Sequence, residues 1–261
     1  MGELLRVMGN RRSIRYFEPD KPVEREKIQI MLEAMNRSSR AVNADFVKTV
    51  VVFRDELDPD VLEQLKTPTT TAEVDMAPVH MFCYLDLTYT DGAQGRLKEL
   101  VQLGALNPSH GWSEAYVDEV VWATVLKPIS ADPGILSYIG AIDAGVAINQ
   151  GMLAAVDQGL GVCLHAFNTE VAKKALDIPD HWLPLHLLLV GYPAEDPLTG
   201  GQRPRRPLST QCFVGNAHTP WEEIPEVTER LKQEGLIQDP VDAEKRRAEV
   251  RALAQRFGLP E

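Results

Sequence analysis

The run Arg11-Arg12-Ser13-Ile14-Arg15-Tyr16-Phe17 places three arginines and a hydroxyl within five positions. It follows a short segment in which Leu4, Leu5 and Met8 recur at helical spacing and Gly9-Asn10 stops the helix. Guanidinium groups offer a planar fork of donors that matches phosphate or carboxylate and stay charged in any environment. Arg11, Ser13 and Arg15 therefore form a candidate anion grip, although a triplet of arginines alone also reads as a solvated basic loop. A second cluster, Arg203-Pro204-Arg205-Arg206-Pro207, follows the apolar run from Leu185 to Val190 and the turn Gly191-Tyr192-Pro193. The chain has 38 acidic and 27 basic residues and a formal charge of -11. Gathering arginines twice in such a chain points to something negative between them.

Composition narrows the function. With 261 residues, 44% of them hydrophobic, the chain can bury a substantial core, as one domain over about 1–208 with a C-terminal extension over 209–261. The acidic balance argues against nucleic acid, which needs a broad basic face. No segment reads as a membrane span, and the N-terminus lacks the apolar core of a signal peptide. Cys83, Cys163 and Cys212 are odd in number and lack metal-like or redox-like spacing, which points to reduced thiols in a cytoplasmic protein.

Periodicity predicts helices at Glu24–Met35, Asp58–Lys66, Ala93–Leu103 and through Val117, Val121 and Val125, with strands at Val47–Phe53, Pro78–Leu85, Val162–Phe167 and His186–Gly191. A helix capped by Thr169 is expected to Leu176, and polar helices over Pro225–Gln233 and Val241–Phe257. The stretch 88–133 reads as a lid-like insertion. The longest helix, about Ile135 to Gln158, carries Ile135, Ile139, Ile142, Val146, Leu153 and Val156 as a stripe, with Ala141, Ala144, Ala147, Ile148, Met152 and Ala155 on its other side. Burial on both sides is expected, which makes this helix either the centre of the domain or the seam of a dimer.

Several chemistries drop out. There is no phosphate-loop pattern, no nucleophile-elbow serine and no helical histidine pair flanking a glutamate. Gly159-Leu160-Gly161 lies between helix and strand, the reverse of the order a dinucleotide fold requires. His181 and His186 have no neighbouring cysteine or carboxylate cluster, so no metal site is expected.

The arginine run, the helix after Pro22, the loop holding Asn43 before Val50-Val51-Val52, the segment Ala144–Ala155 with Asn149-Gln150, Gly159–Cys163, and the Arg203–Pro207 cluster stand in an order that resembles the nitroreductase family. The resemblance covers about 3–54 and 135–208. It implies an α+β fold, a central mostly antiparallel sheet flanked by helices, in an intertwined homodimer with two FMN sites at the interface. It further implies a phosphate held by Arg11, Ser13, Arg203 and Arg205, with Arg15 near the flavin pyrimidine edge and Arg12 among the cofactor-binding residues. Asn43 would bond the pyrimidine, and backbone N–H groups of Leu164, His165 and Ala166 would face the ring's reactive edge. Where the family commonly has Gln-Pro-Trp after the asparagine, this chain has Ala44-Asp45-Phe46, so an acidic Asp45 stands near the expected ring site. His165 is a candidate proton donor, or a structural histidine at a strand end. Trp112 and Tyr116 are candidates for lining the acceptor pocket, or for packing the insertion.

The implied activity is ping-pong hydride transfer from NAD(P)H, through FMN, to a small aromatic or conjugated acceptor such as a nitroaromatic or quinone. The same fold admits reductive dehalogenation, ene reduction, dehydrogenation, flavin fragmentation, or FMN binding without turnover.

Overall fold

A computed structural model describes residues 3–69, 71–198 and 200–260. Helix α1, Glu3–Asn10, leads into the arginine run, and α2, Arg25–Asn36, turns Ile28, Met31 and Met35 inward. Strand β1, Val47–Phe53, is followed by α3, Pro59–Leu65, whose N-cap Asp58 accepts from the Asp60 N–H at 2.8 Å. A further helix, α4, Ala72–Met76, has no counterpart in the sequence expectations. Five residues carry too short a period to register. Strand β2, Val79–Asp86, is buried at every position, as expected of a central strand.

The insertion holds α5, Ala93–Gln102, then α6, Glu114–Tyr116, which continues as a π-helix, Val117–Leu126, into α7, Lys127–Ser130. Helix α8, Pro133–Asp157, is capped by Asp132, which accepts from Gly134 and Ile135 at 2.9 and 3.1 Å. Then come β3, Gly161–His165; α9, Thr169–Ala175; β4, Trp182–Gly191; α10, Pro225–Gln233; and α11, Ala243–Phe257. The cap of α9 is Asn168, one residue before the predicted Thr169, because its side chain reaches the Val171 N–H.

The sheet runs β1-β2-β4-β3 and all three pairings are antiparallel. Strand β4 begins four residues before the predicted His186, continuing through Pro184. A bulge there pairs Cys83 with His186 and Tyr84 with Pro184. The skipped Leu185 lets a proline sit in a central strand where an unbroken ladder would refuse it. On one face Phe82, Tyr84, Leu187 and Leu189 meet Leu65, Val74, Phe167 and Ala172 from the α3, α4 and α9 side. On the other, Met81, Cys83, Leu188 and Val190 pack on α2 and α8.

Helix α8 departs from the two-sided burial expected of it. Its small side, with Gly140, Ala144, Ala147, Gly151 and Ala155, faces the sheet and α2. A Cβ on Gly140 would stand 2.4 Å from Leu85 Cδ1, and one on Gly151 would stand 2.7 Å from Met35 Cγ, so close approach depends on these glycines. Most of the bulky stripe points outward: Ile142 is 54% exposed, Val146 43% and nearby Tyr138 71%. By length and hydropathy α8 would also pass for a membrane span, contrary to the sequence expectation, yet its small face is packed on the sheet.

The C-terminal segment first leaves the body and then returns. Residues 203–227 are exposed at every position, whereas α11 buries Leu253 and Ala254 and Arg256 pairs with Glu18 at 2.6 Å.

Candidate functional site

The arginine run is pinned to the edge of β3. Ser13 bridges Val162 in parallel, the Ile14 N–H donates to Val162 O at 3.0 Å, and Ile14 lies where a Cβ on Gly161 would collide with it. Beyond that bridge, Phe17 pairs with Pro193, so the run is held at both ends while its side chains fan out between. They face a cavity of about 430 Å³ lined by Arg11, Arg12, Ser13, Arg15, Arg203, Arg205 and Arg246, together with Glu195 and Asp196. The two distant cationic clusters thus meet, as their composition predicted.

Their members differ in what they hold. Among the described residues the arginine ion pairs involve Arg25, Arg37, Arg40, Arg96, Arg230, Arg246 and Arg256, and never Arg11, Arg15, Arg203 or Arg205. Four guanidinium groups around one hydroxyl-bearing cavity therefore lack an anion. Arg12, expected among the cofactor-binding residues, is engaged within the chain: it donates to Gly201 O at 2.7 Å, to Gly9 O and to Gln238 Oε1. Its pKa is lowered by burial and by the charges of Arg11 and Arg203, which shows how close the like charges stand.

Arg15 also faces β3, where its charge is felt at Cys163 and His165. The His165 pKa is lowered, chiefly by burial, with Glu73 pulling up and Arg15 pushing down; its Nε2 is buried without a hydrogen bond. Burial disfavours the charged form of the ring. Leu164 and Ala166 flank it, both exposed, and Leu164 lies two residues beyond Val162 on the strand edge that Ile14 leaves free.

The remaining predicted residues lie elsewhere in the chain. Asn43 and Val42 adopt left-handed backbone, with φ of 52° and 51°, in a one-turn loop fastened to α8 where the Ala41 N–H donates to Asp143 Oδ2 at 2.7 Å. From Asp143 to the C-terminal end of α8, where the arginine run docks, is roughly 20 Å at the α-helical rise. Asp45 does not stand as a free negative charge: Arg40 and Arg96 hold it at 2.9 and 2.7 Å. Trp112 and Tyr116 stack edge to face at 5.5 Å, and Trp112 and Val42 both pack on the cluster of Ala93, Leu97, Val117 and Leu126. The insertion therefore sits beside the Asn43 loop, not over the arginines of its own chain.

A profile of the nitroreductase family matches residues 8–192. The chain belongs to this family. Its relatives include the FMN reductase [NAD(P)H] of Bacillus subtilis (strain 168), 26% identical over 211 residues, which are 79% of this chain and 71% of that one. An NADPH-dependent oxidoreductase of Staphylococcus haemolyticus is 26% identical over 234 residues, 87% of this chain and 80% of the other. A nitroreductase-type structure from Exiguobacterium sibiricum 255-15, solved in complex with FMN, superposes with a TM-score of 0.64 at 18% identity, covering 79% of this chain and 94% of that one. At that identity the likeness is one of fold.

For a nitroreductase-family chain, three site residues had no sequence signal. Glu195 stands next to Asp196 in an acidic pair after a turn. Arg246 sits in Glu244-Lys245-Arg246-Arg247, which reads as a solvated helix face, and Gln238 lies in a loop. Only long-range contacts bring them to the arginine run.

Proposed function

We propose that this protein is an FMN-dependent oxidoreductase that takes reducing equivalents from NAD(P)H and passes them to a small aromatic or conjugated acceptor, working as a homodimer in the reducing cytoplasm. The observation that carries the reading is the set Arg11, Arg15, Arg203 and Arg205 around Ser13, cations without carboxylate partners in a chain of net charge -11. That donor set fits a phosphate monoester, for which guanidinium forks and a hydroxyl are well matched. Bound FMN supplies the chemistry no side chain here can supply, reversible two-electron hydride transfer.

The residues do the rest. Arg11, Ser13, Arg203 and Arg205 hold the phosphate. Arg15, whose charge acts on Cys163 and His165, would set a positive charge near the flavin's pyrimidine edge and so favour its reduction. The strand edge at Leu164–Ala166 offers backbone N–H groups, and no nucleophile is required.

Dimerisation completes the site. Asn43 and the Trp112–Tyr116 pair are far from the arginines of their own chain, and the exposed stripe of α8 runs between the two ends. Pairing α8 with a second copy covers Ile142 and Val146 and brings a loop and insertion toward the other chain's arginines. Among the described residues all three cysteines are free, which suits a reducing compartment.

The test is anaerobic mixing of the yellow protein with NADPH. Fast bleaching, followed by recovery of colour on adding a quinone or nitroaromatic, is expected. A colourless protein that ignores added FMN, or a yellow one that never bleaches with NADPH or NADH, would refute the catalytic reading.

A further inference from the structure

Past residue 192, where the family match ends, the chain sends back two ties to the arginine run, one on each side of Ser13. On the far side stands Glu195, 5% exposed. Its Oε1 accepts the backbone N–H groups of Arg15 and Tyr16 at 2.5 and 3.1 Å, and its Oε2 accepts from Arg246 on α11. Arg246 also donates to Glu249 at 2.8 Å, and Glu249 in turn accepts the Asp196 N–H at 2.7 Å, so α11 grips residues 195 and 196 from both ends. On the near side Arg12 donates to Gln238, which donates onward to Asn10 at 2.8 Å. A Cβ on Gly9 would fall 1.8 Å from Gly235 O, so α1 lies directly on the backbone of the returning segment.

The chemistry of the first tie is specific. Like-charged guanidinium groups converging on one cavity repel each other, so a cradle that is formed before its anion arrives must be held by something else. A carboxylate placed among the guanidinium tips would occupy the donors meant for the ligand. Glu195 avoids this by bonding to the Arg15 backbone instead of its side chain, and its own buried charge is matched by Arg246. The pair thus fixes the backbone of the arginine run without placing a carboxylate on the side chains of Arg11, Arg15, Arg203 or Arg205.

We propose that the C-terminal segment 234–257 is a built-in part of the anion site, with Glu195 and Arg246 as a positioning pair that fixes the Arg11–Arg15 backbone for a phosphate monoester. This rests on the FMN reading and deepens it: the pair serves the phosphate end of the cofactor and is indifferent to the ring.

Titration of the full-length apo-protein with FMN and with riboflavin, which shares the ring and lacks the phosphate, tests the pair. Arg246→Met is expected to weaken FMN by about tenfold or more and riboflavin by less than about twofold, with Arg246→Lys recovering part of the loss. Glu195→Gln, which keeps a carbonyl oxygen for the backbone N–H groups but loses the charge, should fall between; it carries the test if Arg246→Met does not fold. Unchanged FMN affinity in both variants, or equal losses for FMN and riboflavin, would overturn the proposal and leave the pair a purely structural tie. A wild type that binds neither flavin overturns the cofactor reading itself, an outcome distinct from a wild type that binds FMN and variants that bind it equally well.

Discussion

The two ends of α8 carry similar numbers of charges and treat them oppositely. At the Asn43 end, Arg96 on α5 ties the loop's Asp45 to the insertion, Arg40 pairs with the same carboxylate from within the loop, and Lys98 pairs with Asp118 inside the insertion at 2.7 Å. At the C-terminal end, Arg11, Arg15, Arg203 and Arg205 line one cavity without carboxylate partners among the described residues; Arg15 and Arg205 donate only to nearby backbone, Ser13 O at 3.3 Å and Pro204 O at 3.5 Å. Paired charges in a partly exposed setting contribute little to stability and mainly set geometry. Unpaired like charges cost energy until an anion arrives, so their persistence marks a binding site. One end is therefore built from paired charges and the other from arginines left without carboxylates, and the proposed reading makes the first a support for the insertion and the second an anchor for the cofactor.

The sharpest way to break this contrast is at the anchor. Replacing both Arg203 and Arg205 with alanine removes two charge-assisted phosphate contacts at about 1.5–3 kcal/mol each, so FMN affinity should fall by roughly a hundredfold or more. Equilibrium dialysis reads the loss directly, and an affinity unchanged by the double substitution would end the anchor's assignment.

Next in size is the seam between the ends. Light scattering of the wild type should give twice 29.0 kDa. Val146→Asp, which sets a carboxylate in the outward stripe, should produce aggregation or unfolding instead of a soluble monomer. A monodisperse, flavin-loaded wild-type monomer would show that each chain completes its own site, contrary to the geometry of α8.

Smaller effects belong to the lid end. Trp112→Ala and Tyr116→Ala should leave flavin content as it is and change kcat/KM for aromatic acceptors by a factor of about three to ten, the worth of one lost aromatic contact. Anaerobic reoxidation across nitroaromatics, quinones and enones measures it, and identical rates for every acceptor in wild type and both variants would remove the insertion from the pocket. Smallest of all is Asp45→Asn. Asp45 is half exposed, so breaking its two ion pairs should cost under about 1 kcal/mol in urea unfolding and leave FMN affinity within about twofold. A large loss of flavin would mean that Asp45 belongs to the anchor after all.

Much of this was legible in the residues. Val47–Phe53 was predicted to the residue, and α5, α10 and α11 within two positions, because alternating or 3.6-residue patterns report local burial. The two arginine clusters could be joined on paper because an acidic chain has little other use for them. Arg12 could not be told from Arg11 in the same way: neighbouring residues of identical chemistry diverge only when Gly201 and Gln238 arrive from far along the chain. Two-sided burial was expected of α8; within one chain its small side, with Ile148 and Met152, is buried against the sheet and α2, while most of the bulky stripe is exposed, so the second side is not covered by local packing.

The sequence by itself determined most of the elements, though not α4, and pointed to the family and to an anion, since these depend on local periodicity, motif order and charge composition, which need no third dimension. Tertiary structure alone decided which arginines remain open, that Asp45 is neutralised, and that Asn43 and the lid lie some 20 Å along α8 from the arginine run. It also decided that a buried Glu195 and an α11 arginine stand behind the cradle. Each of these is a pairing between distant positions, and a pairing exists only once the chain's packing has fixed which side chains share a space.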